Sequence, residues 1–242
     1  MANLRANKLV GIGSTDAGVV FDGDVEINSQ GHMYFPTGDT SQRGRGRAVF
    51  GLANAPSNVN NIEYVQIQSE GNAVDFGDLI TAQTAGGAGS SSTRGIFGGG
   101  HAPGKTNVIS YVTIATTSNA TDFGDLSVVR DFVGGLSNST RGLFLGGRID
   151  PASANSDTVD YVTIASTGNA ADFGNLTVAR RGHAAATNSL RGIFNSGEGS
   201  PANVNTIDYV TIASIGNATD FGDSTLARLN PAGCSDSHGG IS

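Results

Sequence analysis

From Arg47 onward the apolar residues come in short runs separated by glycine and small polar residues. The clearest run is Tyr111-Val112-Thr113-Ile114, in which β-branched and polar side chains alternate as a half-buried strand requires. The same run returns at Tyr64, Tyr161 and Tyr209, so the four tyrosines lie 47, 50 and 48 residues apart. No stretch shows the i, i+3, i+4 spacing of an amphipathic helix. Four β units of about 50 residues predict stacking, because one small sheet has a face that only a neighbour can cover.

Each unit reads in the same order. It opens on an Arg-small-aliphatic-Phe strand, headed by Arg47, Arg94, Arg141 and Arg191. A glycine-rich turn is expected next, clearest at Gly98-Gly99-Gly100 and Gly146-Gly147, followed by a polar loop whose length varies. The Tyr strand leads into Asn-Ala-x-Asp-Phe-Gly, with Asp75, Asp122, Asp172 and Asp220 each followed by Phe76, Phe123, Phe173 or Phe221. This segment reads as a turn in which the aspartate accepts from nearby backbone N–H groups and the glycine takes a positive φ. A last strand is expected through Gln83, Arg130, Arg180 and Arg228.

Residues 1–44 stand outside the repeat and read as an arm for docking or oligomerisation. Val20, Phe21, Val25 and Ile27 flank an Asp22-Gly23 turn signal, and Met33, Tyr34 and Phe35 form a second apolar group ending at Pro36. These seven side chains are the candidate partner-docking residues.

Glycine is 36 of 242 residues, about twice the usual share of roughly 7 %. That agrees with many tight turns. The net charge of −7 argues against nucleic acid, and only Arg43, Arg45 and Arg47 gather as a basic run. The lone Cys234 allows no disulfide within the chain. Neither a signal peptide nor a membrane-spanning helix is expected, since no apolar run is long enough.

Several motifs resemble catalytic ones and are read as structural. Residues 99–106, GGHAPGKT, fit a phosphate-loop pattern, but that chemistry needs a helix to follow, and Val108 to Val112 reads as a strand. Asp-Phe-Gly matches the kinase magnesium motif in letters alone, because the lysine and catalytic-loop partners are missing. Asp122 with Asp125 offers two carboxylates where calcium needs six to eight oxygens. His32, His101, His183 and His238 share neither a repeat position nor metal-ligand spacing. The recurring arginines, Arg94, Arg141 and Arg191 in one set and Arg130, Arg180 and Arg228 in another, are expected to pair with carboxylates or carbonyls of the neighbouring unit, the recurring aspartates being natural partners. No catalytic residue, metal ligand or cofactor is assigned.

The units resemble kelch repeats, the blades of β-propellers. The resemblance rests on the apolar strand ending in Gly-Gly, the downstream Tyr, the later aromatic and the ARRGHAAA strand at 179–186, and it spans about residues 45–242. The chain departs from kelch repeats in having no Trp, with the Phe of Asp-Phe-Gly in its place. The double glycine is also degraded in the first and fourth units. The resemblance implies an all-β fold, a four-bladed kelch-like propeller over residues 45–242. It would be closed by a C-terminal strand around Leu226-Ala227-Arg228, or alternatively by Met33-Tyr34-Phe35.

The consensus YVTIASTGNATDFGDL with TRGLFGGG also resembles kelch-like proteins of marine cyanophages and related tailed phages. The opening MANLRANK and the VxFDGDVxI module are similar to N-terminal parts of phage fibre proteins. That likeness implies a non-enzymatic virion structural protein such as a tail fibre, appendage or surface component. Other virion proteins would bind residues 1–44, a homo-oligomer (a trimer foremost) would form, and a host-surface glycan or protein would be met by the propeller. The alternatives are a carbohydrate-binding propeller outside any virion and, third, a kelch-type propeller enzyme. The loops 53–61, 101–108, 148–158 and 198–206 hold no aromatic platform for a sugar. Cys234 with scattered histidines does not supply a copper site.

Overall fold

The computed structural model describes residues 46–54, 57–67, 69–150 and 154–235. The arm residues Val20 to Phe35 named above, and His32 and His238, lie outside them.

The alternating runs form antiparallel meanders. The first sheet holds β1 (Arg47–Phe50), β2 (Asn61–Gln66) and β3 (Val74–Asp78) in that order. The second holds β4 (Gly87–Ser90), β5 (Arg94–His101), β6 (Lys105–Thr113) and β7 (Thr121–Asp125). After β8 (Arg130–Asp131), the third sheet holds β9 (Gly134–Ser137) and β10 (Arg141–Leu145), then, beyond β11 (Arg148–Ile149), β12 (Thr158–Thr163) and β13 (Ala171–Asn175). The fourth holds β14 (Ala184–Thr187), β15 (Arg191–Glu198), β16 (Asn203–Thr211) and β17 (Thr219–Asp223). A two-stranded ladder joins β8 to β11, which makes five small sheets among the described residues, none of them closed. The described chain is all-β, and among the described residues no helix is long and apolar enough to cross a membrane.

Three expectations need correction. The strand expected at Gln83, Arg130 and Arg180 lies further on, at β4, β9 and β14, where it pairs with the Arg-headed strand of the next sheet. Arg130 falls in the short β8, while Gln83, Arg180 and Arg228 lie in no strand. Second, Asp-Phe-Gly is a strand, not a turn. A bulge in the Asp-Phe-Gly strand itself, where Phe123 is the extra residue between Asp122 and Gly124 opposite Ser110 and Ile109, lets pairing with the Tyr strand continue through Gly124. Third, Gly98-Gly99-Gly100 belongs to β5. Its glycines serve packing: a Cβ on Gly98 would lie 2.6 Å from the Phe144 ring of the following sheet.

The core is divided among the three junctions between consecutive sheets. Ile62, Phe76 and Leu79 of the first sheet's segment meet Phe97 and Val112 of the second. Ile96, Ile109, Phe123 and Leu126 meet Phe144, Val162 and Ile164. Leu145, Val159, Phe173 and Leu176 meet Phe194, Val210 and Ile212. Apolar side chains from one face of each sheet thus fill against the opposite face of the next, as stacked repeats require.

Candidate contact site

The recurring residues are occupied in these junctions. In every unit the Tyr ring meets the Phe ring edge-on, at centroid distances of 5.9, 5.8, 5.8 and 6.1 Å for Tyr64–Phe76, Tyr111–Phe123, Tyr161–Phe173 and Tyr209–Phe221. The strand-heading arginine lies over the same Tyr, with Arg94, Arg141 and Arg191 at 4.6, 4.8 and 4.7 Å. Arg94 also donates across the junction to the carbonyls of Ile164 and Ala165, and Arg141 to that of Ile212. Arg191, on the fourth sheet, is exposed. Asp172 and Asp220 each accept from the backbone N–H two residues on, at 3.1 Å.

The Asn-Ala pair, read as part of a turn, is a clamp between sheets. Asn119 Oδ1 accepts from the Asp78 N–H while the Ala120 N–H donates back to the Asp78 carbonyl. Asn169-Ala170 holds Asp125 and Asn217-Ala218 holds Asn175 in the same way.

Two buried ion pairs complete the junctions. Arg130 meets Asp160 at 2.8 Å and Arg180 meets Asp208 at 3.0 Å. Burial pulls both guanidinium groups below their ordinary pKa, and the facing aspartates oppose the shift. Their partners are not the aspartates of Asp-Phe-Gly but the residues just before Tyr161 and Tyr209. The signal was readable across the repeats, where Gln83 goes with Ser110, Arg130 with Asp160 and Arg180 with Asp208. Beside them His183 is enclosed with no partner for either ring nitrogen. Burial first, then Arg180 and Arg130, push its pKa down to about 3.

What remains for contact is the loop side of the second to fourth sheets. Arg148 grips the buried Asp131 through Nε at 2.9 Å and Nη2 at 2.6 Å, and this hydrogen bonding raises the arginine's pKa. His101 Nδ1 stands 3.6 Å from the same carboxylate. One unit later the charges are exchanged, with Arg181 on Glu198 at 2.6 Å. Between the two arginines lies the partly exposed ring of Phe132, with Arg148 and Arg181 at 5.1 and 5.8 Å from its centroid. Lys105 pairs with Asp150, and an open groove bounded by Asn155, Val178, Arg181 and Glu198 runs alongside. These residues present three charge pairs and one partly exposed aromatic ring at the surface.

The sequence reading missed Phe132, which stands where the other units have Ala85, Gly182 and Asn230 at positive φ. The phosphate-loop-like segment ends β5 and begins β6, so it opens a strand. Cys234 is exposed. Among the described residues no three His, Cys, Asp or Glu side chains gather as a metal site. No protein-family model matches the chain, and no curated protein matches it.

Proposed function

We propose that this chain is a structural component of a phage virion, a tail fibre, appendage or particle-surface protein, with its four sheets as the blades of a kelch-like propeller. In this reading residues 1–44 dock on other virion proteins and hold a homo-oligomer, a trimer foremost. The observation that carries the reading is the use of the recurring residues. The Tyr–Phe pairs, the Arg–carbonyl bonds and the Asn-Ala clamps hold sheet to sheet. The loop side, with Phe132, Arg148 and Arg181, is left as the variable surface for host or neighbour contact. Many copies on one particle would raise weak contacts through avidity. A mass-spectrometric inventory of purified particles tests this: the chain is expected at a fixed copy number, and its absence would sink the proposal.

Phe132, an exposed aromatic ring on the loop side, also favours a second reading, a free carbohydrate-binding protein. Glycan binding by the soluble chain, lost in Phe132→Ala, together with absence from particles, would select that reading.

A further inference from the structure

The three junctions define two faces on every sheet, and at the two ends of the row one face of each kind is left uncovered by the described residues. On the fourth sheet the leading face carries Phe221, which is 55 % exposed, whereas Phe76, Phe123 and Phe173 at the same position are buried. On the first sheet the trailing face carries Phe50 and Ile67, 55 % and 68 % exposed, whereas Phe97, Phe144 and Phe194 and then Ile164 and Ile212 are buried. The clamp is likewise unmade there: Asn72-Ala73 and Asp223 stand where Asn119-Ala120 and Asp78 join, yet they make no such bond to each other.

The charges at these ends are matched. In repeat register the residue facing Arg228 is Glu63, just as Asp160 faces Arg130 and Asp208 faces Arg180. Both Arg228 and Glu63 are exposed. The first junction carries neutral Gln83 and Ser110 at these places, so an arginine at the fourth sheet's end and a glutamate on the first sheet complement one another specifically. The segment after Arg228 is also in place. Ser235 Oγ donates to the Thr187 carbonyl at 2.8 Å, as Ser137 Oγ donates to that of Ser90, so Ala232 to Ser235 lie beside β14 as β9 lies beside β4. In the repeat frame this is the first strand of a following sheet. Among the described residues, β1 has no partner on the side where β5, β10 and β15 have theirs.

We propose that the fourth sheet of one copy stacks on the first sheet of a second copy, head to tail, through a junction built on Arg228–Glu63, Phe221 with Phe50 and Ile67, and Asp223 with Asn72-Ala73. Three like junctions in a row do not bring the fourth sheet onto the first, so a second copy is the occupant whose surface already fits. Such an interface is heterologous and propagates into a ring or a filament. It is separate from any assembly through residues 1–44, does not rest on the particle reading, and places the closure of the blades between copies and not within one chain.

The test uses the full chain with Cys234→Ser as background. Glu63→Cys and Arg228→Cys are made as separate proteins, mixed, and treated with a short bismaleimide. The expected result is a covalent heterodimer from the mixture, with a wild-type mass that rises with concentration in light scattering. Arg228→Glu alone weakens self-association roughly a hundredfold, by the loss expected for one partner of a buried pair. Adding Glu63→Arg restores it. A doubly substituted chain that cross-links only within itself overturns the proposal in favour of ring closure. No cross-link, with a mass that does not change with concentration, also overturns it and leaves these faces to another segment or ligand.

Discussion

Arg130 and Asp160 face each other across the second junction with neither side chain exposed, Nη2 to Oδ2 at 2.8 Å. The pair is held on both sides. Asp160 also accepts from the N–H and hydroxyl of Ser127, and Arg130 donates to the carbonyls of Phe144, Gly146 and Thr158. A charge taken out of water is tolerated when its hydrogen bonds are replaced in this way.

Removing one partner should therefore cost more than removing both. Asp160→Asn is expected to lower stability by about 3–5 kcal/mol. The double variant Arg130→Gln, Asp160→Ser writes the first junction's residues into the second and should lose clearly less. Urea unfolding of the three proteins gives the comparison, and a double variant as weak as the single would show that the charges are not the cause.

His183 sets a pH dependence. Its folded pKa, about 3, lies below the ordinary value of 6.5, so the unfolded chain binds the proton more readily. The contribution is whole above pH 6.5 and is lost as pH falls toward 3, at a slope approaching about 1.4 kcal/mol per pH unit. His183→Leu should flatten stability against pH in that window, read from urea midpoints at pH 7, 6 and 5. An unchanged slope would exclude His183 as its source.

Gly98 is a packing glycine. Gly98→Ala would put a methyl 2.6 Å from the Phe144 ring. The expected loss is about 1–3 kcal/mol, the usual range for overpacking. Gly104→Ala, with nothing within 4 Å, serves as the control and should change the thermal midpoint little.

The Phe position should respond according to what covers it. Phe123→Ala, within the second junction, is expected to lose about 3–5 kcal/mol. Phe221→Ala, on the exposed end face, should lose less than about 1 kcal/mol in dilute solution. Equal losses would mean that the fourth sheet's face is covered within one chain.

Much of the architecture was legible because it was written four times. The spacing of Tyr64, Tyr111, Tyr161 and Tyr209 set the number of units, and alternation placed the Arg-headed strand and the Tyr strand of each in their order. The repeat also marked Phe76, Phe123 and Phe173 as large side chains placed alike, which the structure puts between sheets. Local signals misled where a residue's reason lies in its neighbour. Gly98 and Gly124 look like turn residues, yet one gives room to Phe144 and the other follows the bulged Phe123 of its own strand. Partners from different units, such as Asp131 with Arg148 or Phe132 beside Arg181, lie too far apart in the chain for spacing to pair them. The sequence by itself determined a periodic all-β chain, since alternation and repetition are properties of the chain. Tertiary structure alone decided which face meets which and which faces stay open, because burial of Phe123 and exposure of Phe221 depend on whether another sheet lies beyond them.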